Sequence, residues 1–193
     1  TGVRKSNATA VALLFLLKLG WWGLLFWGAK HAPSDWQKPF ALGLGTWTLA
    51  EYLLHRHVLH RVAYFRDIHG RHHQDQTALI GAPTWLSLAL FVCLFYLPLQ
   101  FIVPPMAGGL TAGLMTGYVW YFTIHHLLHH NRRGNSTYLC RLKRRHMLHH
   151  HFDSEGNFGV TTGAWDRLFG TDIQVETAGG RNGLAQRRRS YGR

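Results

Sequence analysis

The run Met106-Ala-Gly-Gly-Leu-Thr-Ala-Gly-Leu-Met-Thr-Gly-Tyr-Val-Trp-Tyr-Phe-Thr-Ile124, followed at once by His125-His126-Leu127-Leu128-His129-His130, decides the fold. Read as a helix, the apolar part reaches about 28 Å, close to the thickness of a bilayer's hydrocarbon core, and it ends in histidines. The same junction of apolar and histidine-rich sequence recurs. His55-Arg56-His57-Val58-Leu59-His60 closes the apolar run that begins at Phe40. His69-Gly70-Arg71-His72-His73 and Arg145-His146-Met147-Leu148-His149-His150-His151 fall in the polar segments that follow the second and fourth runs. Imidazole is the commonest protein ligand for iron, zinc and copper. Residues three and four apart lie side by side on a helix. The spacing therefore predicts that His69, His72 and His73 present three nitrogens to one point, and His146, His149 and His150 three more.

Working outward, four apolar spans are expected, at about 8–27, 40–58, 84–103 and 106–124. Trp21, Trp22 and Trp27 suit an interfacial belt, Pro39 suits a helix's first turn, and Pro104-Pro105 closes the third span. Gly109, Gly113 and Gly117 put small residues on one helix face, which favours close packing within the bundle and leaves a dimer contact open. The basic residues are asymmetric. Arg4 and Lys5 precede the first span, four arginines (Arg56, Arg61, Arg66, Arg71) follow the second, and twelve Lys/Arg follow the fourth. Only Lys30 and Lys38 lie in the other connections. That is the positive-inside pattern of an even number of spans with both termini cytosolic. The expected fold is an all-α integral membrane protein: four transmembrane helices in two hairpins, with a cytosolic histidine-rich helical cap (55–77 and 125–171) and a basic tail (172–193) forming one domain. A bacterial inner membrane or the endoplasmic reticulum would suit it.

Composition agrees. In 193 residues, 47% are apolar and the net charge is +12, yet mean hydropathy is near zero, as when very apolar and very basic segments alternate. The charge distribution argues against a nucleic-acid partner. Cys93 falls in a span and Cys140 in the cap, so no disulfide is expected. A metal transporter would place polar groups inside the spans, and only Lys18 fits that pattern.

About ten imidazoles shared by two metals of octahedral habit would leave about one open position each for dioxygen or water. The nine acidic residues include no Glu-x-x-His pattern, so a carboxylate-bridged site of the ferritin type is not expected. No G-x-S-x-G elbow or H-E-x-x-H motif is present for hydrolysis. A redox metal at the mouth of an apolar bundle points to oxidation of a substrate whose tail is dissolved in the bilayer.

These residues resemble the fatty acid hydroxylase / sterol desaturase superfamily, and within it are most similar to the fatty acid alpha-hydroxylases. Glu51-Tyr-Leu-Leu-His55-Arg-His-Val-Leu-His60 resembles the first H-x-x-x-x-H box, His69–His73 and His146–His150 the H-x-x-H-H boxes, and His125–His130 the H-Y-x-x-H-H box. Asn157–Thr171 resembles the segment after the last box, so the likeness runs over roughly 51–171. It implies a membrane-bound, dioxygen-dependent di-iron oxidoreductase that hydroxylates a lipid acyl chain. The implied metal ligands are His55, His60, His69, His72, His73, His125, His129, His146, His149 and His150.

Two iron ions, dioxygen and an external electron donor, a cytochrome b-type protein or a ferredoxin, are the implied cofactors and partner. Zinc, which such sites bind more tightly than ferrous iron, is the expected substitute in purified protein. This sequence carries no fused cytochrome-like segment, so a separate donor is expected. The segment between His60 and His69 is shorter than in the eukaryotic alpha-hydroxylases, and His126 stands where the family has tyrosine, which leaves His126 open as an extra ligand. On a regular helix His55 and His60 point about 140° apart whereas His57 and His60 differ by about 60°, so spacing alone favours His57 with His60 where the resemblance implies His55 with His60. Glu51, Asp153 and Asp166 are expected to support the ligands from behind, Asp166 alternatively capping a turn. Three readings stay open: sterol or carotenoid hydroxylation or desaturation, a homodimer, and a non-catalytic, metal-stabilised subunit of a larger complex.

Overall fold

The computed structural model describes residues 36–76, 84–130 and 136–173, so the first expected span and nearly all of the basic tail lie outside the described residues. Among the described residues the chain is helical, with no strand. Helix α1 (Gln37–Leu53) runs without a break into a π-helical stretch, Leu54–Leu59. Pro39 sits in the first turn of α1, where its missing N–H costs no helical bond. Helix α2 (Ala63–Gln74) crosses the cap. Helix α3 (Thr84–Phe91), a π-helical stretch (Val92–Tyr96) and α4 (Leu97–Ile102) follow one another directly. The chain breaks at Val103 (φ −139°, ψ 64°), and Pro104 and Pro105 open α5 (Pro104–His130). Helices α6 (Thr137–His151) and α7 (Ala164–Leu168) complete the cap. Ser136 caps α6, accepting the Leu139 N–H at 3.1 Å.

Among the described residues no helix is long and apolar enough to cross a membrane. The described residues are all-α, as expected, and do not display the four membrane spans as such. Helix α5 is diluted by its glycines and threonines, and the very apolar stretch 84–102 is divided by its π-helical stretch.

Helices α1 and α5 form the central pair, and glycine sets their separation. A Cβ on Gly113 would strike the carbonyl oxygen of Phe40, one on Gly43 that of Leu110, and one on Gly117 the ring of Trp47. The small-residue stripe of α5 is thus used within the molecule. Beside it Trp47, Phe91 and Leu114 form one buried cluster, joined by Tyr118 and Tyr121. Ile124, Leu128, Leu142 and Val160 form a second, which seats α6 and the closing loop on the end of α5.

Candidate metal centre

The histidines that the boxes single out stand in two groups of five, the reacting nitrogens of each group lying within 4.8 Å of one another. His55, His60, His69, His73 and His149 form the first; His72, His125, His129, His146 and His150 form the second. Each triplet is divided between them, contrary to the expectation that its three nitrogens meet at one point. The pairs four apart, His69/His73 and His146/His150, stay together, while the residue three along turns to the other group. On a helix the fourth residue is displaced by about +40° and the third by about −60°. A helix lying between two sites therefore serves both.

The π-helical stretch resolves the first box. Its hydrogen bonds run from residue i to i+5, so residues five apart come into register where an α-helix would turn them away. His55 and His60 accordingly converge, with ring centroids 5.1 Å apart, and His57 is left exposed. His126, weighed as an extra ligand, is exposed and outside both groups.

The spacing of the nitrogens fits metal ions. In the first group Nε2 of His55 lies 2.9 Å from Nε2 of His69, which is 3.1 Å from Nε2 of His73, while those of His60 and His149 are 3.2 Å apart. In the second, His72 lies 3.1 Å from both His125 and His129, and His146 lies 2.8 Å from His129 and 3.1 Å from His150. Bonds of about 2.1 Å at right angles separate neighbouring ligand nitrogens by about 3.0 Å. Unbound, so many converging lone pairs would have little to hold them together.

Electrostatics favour the neutral, ligating form. Burial, reinforced by repulsion from neighbouring imidazoles, holds His73 down at about 4 and His129 and His149 down at about 3. The same causes push His69, His125, His146 and His150 well below the ordinary range. Each therefore keeps a free lone pair at neutral pH.

Backbone carbonyls, not carboxylates, orient two of these rings. The Nδ1–H of His55 donates to the Phe158 carbonyl and that of His149 to the Gly156 carbonyl, each at 2.7 Å, which leaves Nε2 as the ligating atom. The acidic residues expected behind the ligands bond elsewhere. Glu51 Oε1 accepts the Thr161 N–H at 2.9 Å and its hydroxyl at 2.8 Å. Asp153 accepts the Glu155 N–H in a local turn. Asp166, wholly buried, accepts the N–H groups of Phe158 and Gly159 and the Thr171 hydroxyl, and pairs with Arg145 at 3.0 Å; Arg145 also pairs with Asp172. Glu51 and Asp166 thus hold the loop whose carbonyls hold the histidines. The signal for this loop lay in Gly156-Asn157-Phe158-Gly159: Asn157 adopts φ 55°, a left-handed conformation that asparagine tolerates, and its side chain ties the loop to Arg145 O and Ile173 N–H.

A helical pair ending in two pockets of five histidines each, groups that could hold metal ions, defines an all-α, multi-histidine domain. The chain belongs to the fatty acid hydroxylase family, whose model matches residues 40–171. It is 36% identical over 147 residues to the ceramide very long chain fatty acid hydroxylase scs7 of Schizosaccharomyces pombe, covering 69% of this chain and 42% of that protein. It is also 36% identical to the fatty acid 2-hydroxylase of Homo sapiens (68% of this chain, 38% of that one) and to the dihydroceramide fatty acyl 2-hydroxylase FAH2 of Arabidopsis thaliana (72% and 62%). The chain thus spans less than two thirds of the length of these relatives. A solved structure of full-length scs7p, with only its hydroxylase domain visible, superposes with a TM-score of 0.66 at 29% identity, covering 85% of this chain and 65% of that one.

Proposed function

We propose that this chain is the catalytic domain of a membrane-bound hydroxylase that adds oxygen to a lipid acyl chain beside its carbonyl carbon. The observation that carries the reading is the division of ten imidazoles into two adjoining groups of five, each short of an octahedron by one position. The position on the acyl chain follows the relatives named as 2-hydroxylases. Two iron ions held there would supply the redox chemistry by which dioxygen attacks an unactivated C–H bond.

The protein's own part is to hold and orient. Ten Nε2 atoms are the ligating atoms; the Phe158 and Gly156 carbonyls fix two of the tautomers; Glu51 and Asp166 pin the loop that carries those carbonyls. Hydroxylation consumes one dioxygen, two electrons and two protons per alcohol and water formed. An electron donor of the cytochrome b or ferredoxin type is the partner this requires.

The membrane reading rests on two features. Leu86, Leu88, Leu90, Leu94, Leu97, Phe101 and Ile102 are all exposed along 84–102, an apolar surface suited to lipid and not to water. The positive-inside charge pattern supports a cytosolic position for the histidine groups.

The test is lipid mass spectrometry of cells expressing the intact chain or its His149→Ala variant at matched membrane levels, with a competent electron donor present. A lipid class gaining one oxygen only with the intact chain is the expected result. Identical lipid profiles would sink the catalytic reading and leave a metal-stabilised subunit.

A further inference from the structure

The sequence singles out His126, and neither pocket uses it. It stands on the outer face of α5, exposed, one turn before His130, which is exposed as well. The two rings stack nearly parallel, 4.1 Å between centroids and 16° between planes. His130 donates its Nδ1–H to the His126 carbonyl at 3.1 Å. That bond selects the tautomer with the lone pair on Nε2, the same device that readies His55 and His149 within the first group.

We propose that His126 and His130 form a third, solvent-facing site for a divalent transition-metal ion of the zinc or ferrous class. Two imidazoles four residues apart on a helix are neighbours on one face. A small rotation of exposed rings brings two lone pairs onto one ion, whose remaining positions are filled by water. With two donors instead of five, this site exchanges its ion freely while the inner groups retain theirs. It shares one helical turn with His125 and His129, so the inner and outer pairs are carried by the same segment of α5. The site goes beyond the hydroxylase reading and does not depend on it.

The test measures zinc bound by the purified full chain in detergent, equilibrated at a fixed micromolar free zinc concentration. The intact chain is compared with His126→Ala, His130→Ala and, as an exposed histidine elsewhere, His57→Ala. The expected result is one zinc fewer per chain in each of the first two variants and no change in the third. Equal zinc in the intact chain and His126→Ala would overturn the proposal, as would a His126→Ala variant that loses two or more ions, since His126 would then serve the inner groups. Circular dichroism checks that helix content is unchanged. The zinc that remains in His126→Ala reports the inner groups alone, so a failure of the two-metal reading appears in that remainder and not in the difference.

Discussion

The imidazoles of His73 and His150 stack face to face, 4.2 Å between centroids and 19° between planes, although the two rings belong to different groups of five. The stack is a shared wall, and the two pockets are mechanically one object. Replacing His150 with alanine opens that wall. The expected outcome is less than one metal ion per chain by elemental analysis, because removing a second-group ligand also frees His73. A variant that keeps one full ion would show that the pockets fill independently.

The π-helical stretch at Leu54–Leu59 carries a second prediction. Inserting an alanine after Val58 sets His55 and His60 six positions apart, where neither the α-helical nor the π-helical period returns them to one face. Metal content should drop by about one ion per chain while helicity by circular dichroism stays the same. Undiminished metal content would show that the register between His55 and His60 has no part in gathering the ligands.

Asp166 is the buried charge on which the closing loop depends. Asp166→Asn removes an ion-pair partner from Arg145 while Asp172 keeps the other, so the loss should fall near the low end for breaking a buried pair, about 3 kcal/mol. It should be read as a lower denaturation midpoint, together with faster metal release to a chelator. Normal stability combined with normal release would refute the role assigned to this carboxylate.

Glycine positions on α1 and α5 divide cleanly. A methyl group at Gly113 meets the backbone of Phe40 and Leu44, whereas one at Gly45 meets nothing. Gly113→Ala should destabilise the helix pair by roughly 1–3 kcal/mol, the ordinary cost of overpacking. Gly45→Ala should be neutral or gain up to about 1 kcal/mol from helix propensity. Thermal melts of the two variants in the same detergent decide it; equal midpoints would contradict the close approach.

Acid should unfold the metal-free chain. His73, His129 and His149 are held at about 4, 3 and 3 in the fold against an ordinary 6.5. Below pH 6.5 the unfolded chain takes up protons that the folded chain refuses, so stability falls as pH drops from 6.5 towards 4. Melting midpoints of the metal-free chain at pH 7.5 and 4.5 check the sign: a midpoint unchanged or raised at the lower pH would be the wrong one.

Much of this was legible in the residues. The resemblance of the histidine boxes named the ten side chains that the fold gathers, Pro104-Pro105 marked the break between two helices, and the glycines of α5 marked a close contact. The allocation of each triplet was not legible, because it depends on where a helix lies relative to two sites and not on its own period. The pairing of His55 with His60 ran against α-helical geometry and needed a change of hydrogen-bonding pattern that no residue type announces. The carbonyls of Gly156 and Phe158 were invisible for a simpler reason: every residue has one, and only the path of the loop says which is used. Glu51 and Asp166 were offered as possible supports behind the ligands, Asp166 alternatively as a turn cap, and both bond to the closing loop instead of to a histidine ring.

The bond from His55 to the Phe158 carbonyl joins residues 103 apart in the chain. During synthesis the first group's helix leaves the ribosome long before the loop that fixes its tautomer exists. Its pocket is therefore completed among the last events of maturation. A chain interrupted before residue 158 would present exposed, unlocked imidazoles, a form that quality-control machinery could tell from the finished protein.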